Sequence, residues 1–156
     1  MFTGIIQAVG RVAELRPSGQ TAALTIDAAD LDMSDVAVGD SIACNGVCLT
    51  VTGLVPGGFS VDVSQETLKV TAGFVADARI NVEKSLRLAD RLGGHLVSGH
   101  VDGSGEVETV TPVDGNREIT IRFPAALGRY IARKGSITVN GVSLTVNSVT
   151  ADTFSM

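Results

Sequence analysis

The chain is written twice. Gly39 to Val51, GDSIACNGVCLTV, returns as KGSITVNGVSLTV at Lys134 to Val146, an offset of 95 residues. Held without a gap, the same offset pairs Gly4 with Gly99, Gly10 with Gly105, Val12 with Val107, Thr25-Ile26 with Thr120-Ile121 and Phe59-Ser60 with Phe154-Ser155. It makes 17 of the 61 pairs from Met1/Leu96 to Val61/Met156 identical, which marks two homologous modules rather than a chance likeness between strand-rich segments. Whatever one copy builds, the other must be able to build. The modules are read as residues 1–95 and 96–156, with the stretch Leu92-Gly93-Gly94-His95 closing the first and the second left incomplete.

Each copy reads as short strands between turn residues. Runs rich in Val, Ile and Thr, together with 18 glycines, favour an all-β fold of the barrel or sandwich kind. In the first copy strands are expected over Ile5 to Leu15, Ala22 to Ile26, Asp40 to Cys44, Val47 to Val55 and Phe59 to Val63. Short helical pieces are expected at Ser85 to Leu92 and after Pro124, where proline suits a first helical turn and Gly128 works against one. Lys plus Arg total 12 against 17 Asp plus Glu, a net charge of −5 with no basic run, which argues against nucleic acid or an anionic membrane as partner. The N-terminus MFTGIIQAVG has no charged lead before a sustained apolar run, and no stretch approaches about 18 consecutive apolar residues, so a soluble cytoplasmic protein is expected.

Asn45-Gly46 between two alternating runs signals a two-residue type I′ hairpin, because that turn needs positive φ at both central residues. Asn140-Gly141 repeats it. A two-residue turn sets Cys44 opposite Val47, Ala43 opposite Cys48, Ile42 opposite Leu49 and Ser41 opposite Thr50. Period-two alternation then puts Ile42, Cys44, Val47, Leu49 and Val51 on an apolar core face, and Ser41, Ala43, Cys48 and Thr50 on a face of small, mostly polar groups. The second copy sorts in the same way, Ile137, Val139, Val142, Leu144 and Val146 against Ser136, Thr138, Ser143 and Thr145. Such a row beside glycine backbone suits a shallow pocket for a flat heterocycle with polar edges. An ordinary solvated sheet face explains it equally well at this stage.

Cys44 and Cys48 fall on opposite faces of the hairpin, which speaks against a shared zinc ion and against a disulfide. Cys44 reads as a small core residue and Cys48, in the polar row, as the better candidate for a reactive thiol. The only histidines, His95 and His100, lie in GGHLVSGHVDG at the junction of the copies. There they are either surface groups of a linker or proton carriers beside a ligand. His100 aligns with Ile5, so the two pockets are not equivalent.

Taken together, MFTGII, GDSIACNGVCLTV, SQETL, GGHLVSGHVDG and NGVSLTV resemble the two-barrel, alpha-chain type of riboflavin synthase, in the lumazine-binding domain family. The resemblance spans the whole chain. It implies two tandem six-stranded Greek-key barrels, the second incomplete here, and a C-terminal helix that ties subunits into a homotrimer. It implies the dismutation of two molecules of 6,7-dimethyl-8-ribityllumazine, with no nicotinamide, flavin cofactor or metal. The first pocket would use Gly4, Ile5, Ile6, Ser41, Cys48, Leu49, Thr50, Asp62, Val63, Ser64, Gln65, Glu66 and Thr67. The second would use Gly99, His100, Val101, Lys134, Ser143, Leu144 and Thr145. Cys48, His100 and Ser41 are the catalytic candidates, His100 and Cys48 for proton transfer and nucleophilic or polar assistance, and Ser41, with Thr50, Ser143 and Thr145, for orienting the heterocycles.

The second copy stops at Met156, the partner of Val61, so about thirty residues of the module are expected to be missing, with the counterpart of Asp62 to Thr67 and the C-terminal helix. Two other functions share the barrel. A non-catalytic lumazine- or flavin-binding antenna protein would need no reactive groups, whereas Cys48, His95 and His100 are present. A flavin-reductase-type barrel would need a nicotinamide-binding domain for which 156 residues leave no room.

Overall fold

Strands form in this chain where alternating apolar runs meet residues that tolerate positive φ, and they form at matching places in the two copies. The computed structural model describes residues 1–19 and 21–156. In the first copy the strands are β1 (Ala8–Ser18), β2 (Thr21–Asp27), β3 (Ser41–Cys44), β4 (Val47–Val55), β5 (Gly58–Ser64) and β6 (Arg79–Lys84), with the helix α1 (Gln65–Val70) between the last two. They close into a barrel in the order β1-β2-β5-β4-β3-β6, and both edges of β6 are used, against β1 and against β3. Closure leaves no free edge. Inside, Val12, Leu24, Ile26, Ile42, Phe59 and Val82 are among the side chains of one continuous apolar core. Each contributes roughly 1.5–3 kcal/mol by leaving water.

Several local expectations change. The first strand begins at Ala8 rather than Ile5; before it, the Thr3 and Gly4 N–H groups donate to the Glu83 side chain of β6 rather than to the backbone of a paired strand. The sixth strand that the resemblance implies is β6, which no local pattern places, and α1 was not expected. Ser64 starts α1 by accepting the Thr67 N–H on its hydroxyl at 3.1 Å, with Glu66 in the first turn. Ser85 to Leu92 is not helical. There Asp90 folds back, its carboxylate accepting the Arg87 N–H at 2.9 Å and its own N–H donating to Arg87 O at 3.0 Å, while Leu86 N–H is drawn to Met1 O at 2.8 Å. The helix after Pro124 does form, as a 3-10 turn over Ala125–Tyr130.

The chain divides into two units, one of residues 1–101 with 138–142, the other of residues 102–137 with 143–156. The second copy supplies β7 (Glu106–Val113), β8 (Asn116–Arg122), β9 (Ser136–Val139), β10 (Val142–Thr145), β11 (Ser148–Val149) and β12 (Thr153–Ser155). They form a two-stranded sheet, β10-β9, and a four-stranded one, β11-β12-β8-β7. Correspondence between the copies extends to irregularities: the β1–β2 register shifts between Val12 and Glu14, and the β7–β8 register shifts between their repeat partners Val107 and Thr109. Positive φ recurs in the same way, at Gly4 and Gly99, Gly39 and Lys134, and at the two Asn-Gly turns. The tip of the second hairpin belongs to the first unit, where Asn140 O accepts from Asn81 Nδ2 at 2.9 Å and Thr138 Oγ1 lies 3.0 Å from His95 Nε2. Among the described residues no helix is long and apolar enough to cross a membrane.

Candidate functional site

The turn at Asn45 (φ 50°) and Gly46 (φ 84°) decides which way the chemistry-bearing side chains point. As that turn requires, Ser41 pairs with Thr50, Ile42 with Leu49, Ala43 with Cys48 and Cys44 with Val47. Ile42, Cys44, Val47, Leu49 and Val51 are buried in the barrel. The Cys44 thiol is pushed up to about 12, first by burial and then by the neighbouring Cys48, so it stays protonated and inert at neutral pH.

The opposite face is not the open row that alternation alone suggests. Ala43 is buried and Cys48 half-buried against Phe2 and Val97. Phe2 and Val97, repeat partners of each other, exchange backbone hydrogen bonds of 2.8 and 3.0 Å, and Cys48 N–H donates to Gly99 O at 2.8 Å. A Cβ on Gly99 would stand 2.6 Å from Cys48 Cβ and 2.9 Å from Phe2 Cε2, and φ there is +80°. Glycine is required at that point by both space and conformation.

Beyond this cover the sheet opens. Cys48, Leu49, Thr50 and Thr52 of β4, Asp62 and Ser64 of β5 and Thr67 of α1 surround a hollow of about 260 Å³. The hydroxyls of Ser64 and Thr67 lie 3.0 Å apart, so helix capping also fixes two of the lining groups. A carboxylate, four hydroxyls and a thiol around an open recess can accept and donate along the edges of a flat polar ring, while the backbone gives it a floor.

The other expected first-pocket residues are spread around this hollow. Ser41 is half-buried opposite Thr50, with its carbonyl accepting from Ser85 N–H at 3.2 Å. Val63 points into the barrel core, and Gln65 and Glu66 are exposed on α1. Gly4 is buried with its N–H on Glu83, Ile6 is half-buried and Ile5 is exposed. Thr52 was not expected, although it continues the alternation of Cys48 and Thr50 and could have been found by extending it one step.

The sequence profile of the lumazine binding domain matches residues 3–85 and again 98–156, the second stretch starting at the repeat partner of Thr3. The chain belongs to the lumazine-binding domain family. It is 44% identical over 151 residues to a riboflavin synthase of Photobacterium leiognathi, covering 96% of this chain and 69% of that one. To a riboflavin synthase of Bacillus subtilis it is 41% identical over 155 residues, covering 98% of this chain and 72% of the relative. Among solved structures, LumP complexed with riboflavin superposes with a TM-score of 0.90 at 22% identity, over 100% of this chain and 85% of that one. That likeness concerns the fold.

Within this lumazine-binding chain the expected second-pocket residues divide between the two units. Gly99, His100 and Val101 lie in the first, and Lys134, Ser143, Leu144 and Thr145 in the second. His100 is exposed, its backbone N–H donating to Ser98 Oγ at 3.2 Å, and Val101 packs on the barrel core. Lys134 takes positive φ (65°) and donates its N–H to Val146 O at 2.7 Å, as Gly39 does to Val51 O at 2.9 Å. Ser143, Leu144 and Thr145 sit on β10 in the register of Cys48, Leu49 and Thr50 on β4.

Proposed function

We propose that the chain is a riboflavin synthase whose first substrate site is the recess beside Cys48. The observation that carries the activity is identity of 41–44% to riboflavin synthases over nearly the whole chain, which a shared fold alone does not produce. Two molecules of 6,7-dimethyl-8-ribityllumazine react, one passing a four-carbon unit to the other, to give riboflavin and 5-amino-6-ribitylamino-pyrimidinedione. Donor and acceptor start as the same compound, which suits a binding module present twice, as residues 1–95 and 96–156. Oxidation of one ring balances reduction of the other, so the reaction needs no nicotinamide, bound flavin or metal.

In this reading Thr50, Thr52, Asp62, Ser64 and Thr67 hold one lumazine by its polar edge. Ser41 and Cys48 assist addition to that ring, and His100 carries the proton lost from an exocyclic methyl group. Gly99, Val101, Lys134, Ser143, Leu144 and Thr145 serve the second ring. Much of the acceleration comes from holding two identical rings in reacting distance, where effective molarities of about 10⁵ M or more are available. A homotrimer in the cytoplasm, with the site shared between subunits, completes the proposal.

The test is direct. The purified full-length protein, in chelator-treated buffer with 6,7-dimethyl-8-ribityllumazine as the only additive, should release riboflavin, followed by absorbance. Tight binding of the lumazine without turnover would instead make the protein a binder.

A further inference from the structure

Among the described residues Glu83 is the one acidic or basic side chain that is buried, at 3% exposure. A carboxylate out of water is costly unless its oxygens are filled by donors. Here one short segment fills them. Glu83 Oε1 accepts from Thr3 N–H at 2.7 Å and from Thr3 Oγ1 at 2.6 Å, and Oε2 accepts from Gly4 N–H at 3.0 Å. Thr3 Oγ1 in turn accepts from Ile5 N–H at 3.1 Å, so a single side chain on β6 organises three consecutive residues more than 75 positions away in the chain.

What the segment does next links the carboxylate to the site. Glu83 on β6 pairs with Ala43 on β3, and Ala43 pairs with Cys48 on β4, which sets the three in one row across the outside of the barrel. Phe2, the residue before the anchored Thr3, is buried with Ala43 and Val97 in a cluster on which Cys48 packs, and Phe2 Cε2 and Cys48 Cβ both close on Gly99. Cys48 is at the same time a wall of the recess. Carboxylate, anchored segment, aromatic ring and Cys48 are thus linked through hydrogen bonds and one buried cluster.

We propose that Glu83 is a positioning residue for the lumazine site: by filling its two oxygens from Thr3 and Gly4 it holds Phe2 over Cys48 and fixes the wall of the recess. This deepens the riboflavin synthase reading and rests on it. The chemistry asks for a carboxylate in particular. A glutamine would turn an NH₂ toward an N–H or O–H donor at one of the two oxygen positions, leaving two donors facing each other without an acceptor.

Three variants of the full-length protein test it, Glu83→Gln, Thr3→Val and Thr3→Ser, each read by melting temperature, by KM and kcat for riboflavin formation, and by lumazine affinity from its fluorescence well below the melting point. In folded Glu83→Gln the dissociation constant and KM should rise fivefold or more. Thr3→Val, which loses one of the three donors, should move the same way by a smaller factor, and Thr3→Ser, which keeps the hydroxyl, should restore most of that loss. A lower melting temperature with affinity and KM within twofold of the parent would overturn the proposal, since a purely structural anchor predicts that result. Should Glu83→Gln not fold, an unchanged affinity in Thr3→Val overturns it alone. If the unsubstituted protein forms no riboflavin, the underlying reading fails instead, and that failure is seen without any substitution.

Discussion

The hairpins Ser41–Thr50 and Ser136–Thr145 share seven of ten residues, including the Asn-Gly turn, yet they meet different surroundings. Ile42, Cys44, Val47 and Leu49 are buried, whereas their partners Ile137, Val139, Val142 and Leu144 are only half-buried. In the first copy β3 is paired outward with β6 and β4 with β5, so the apolar face is sealed from both sides. In the second, β9 and β10 pair with each other alone among the described residues. The comparison separates two things that sequence pattern runs together. Local pattern sets the turn, the register and which side chains share a face, while burial is conferred by neighbouring strands.

Cutting the same side chain from each hairpin gives the largest test of this difference. Leu49→Ala empties a site in the closed core and should cost about 2–5 kcal/mol, whereas Leu144→Ala, at a half-buried position, should cost about 1 kcal/mol or less. Urea unfolding of the two variants measures both, and equal losses would mean that the second hairpin is sealed as well as the first.

The hairpin was legible because its turn leaves little choice: positive φ at two successive residues points to Asn-Gly, and the pairing of Ser41 to Thr50 follows by counting. The closing strand was not legible. RINVEKS carries only two strongly apolar residues, Ile80 and Val82, and its strand character comes from the two free edges it fills. Glu83 looks in sequence like any exposed strand carboxylate, and nothing near it signals donors at Thr3 and Gly4. The cover over Cys48 was hidden for a related reason, since Phe2 and Val97 are joined by a pairing of distant residues that local periodicity cannot report. Cys48, Leu49, Thr50, Asp62, Ser64 and Thr67, expected from the resemblance, lie together at the recess.

A second substitution sharpens the comparison by exchanging chemistry while leaving shape nearly alone. Cys48→Ser places in the first copy the residue that the second carries at Ser143. It keeps size and hydrogen bonding but replaces the sulfur nucleophile by oxygen, so lumazine binding should persist while turnover falls by roughly tenfold, about 1.4 kcal/mol of transition-state stabilisation. Affinity by fluorescence and riboflavin formation on the same preparation check it. Unchanged turnover with unchanged affinity would remove Cys48 from catalysis and leave positioning as the source of rate.

The smallest expected effect concerns the other cysteine, whose repeat partner is Val139, a residue with nothing to ionise. Burial pushes the Cys44 thiol up from 9.0 to about 12, so the folded protein holds that proton over a pH range in which the unfolded chain releases it. The unfolded state then binds fewer protons than the native one, and stability falls as pH rises. The contribution is fully present below pH 9.0 and is lost between there and about 12. Half a unit above the thiol's ordinary value the loss is roughly 0.8 kcal/mol, on a limiting slope of about 1.4 kcal/mol per pH unit. The parent's own alkaline slope does not isolate Cys44. Cys44→Val does, because it imports the second copy's residue, keeps an apolar group of similar size in the core and leaves every other titrating group in place. The parent should lose stability faster than the variant between pH 8 and 9.5, by an amount that is near zero at the lower end and about 0.8 kcal/mol at the upper. Unfolding curves at matched ionic strength measure the difference. Parallel pH profiles would show that Cys44 ionises as easily in the folded barrel as in the open chain, and hence that the first hairpin is no better sealed than the second.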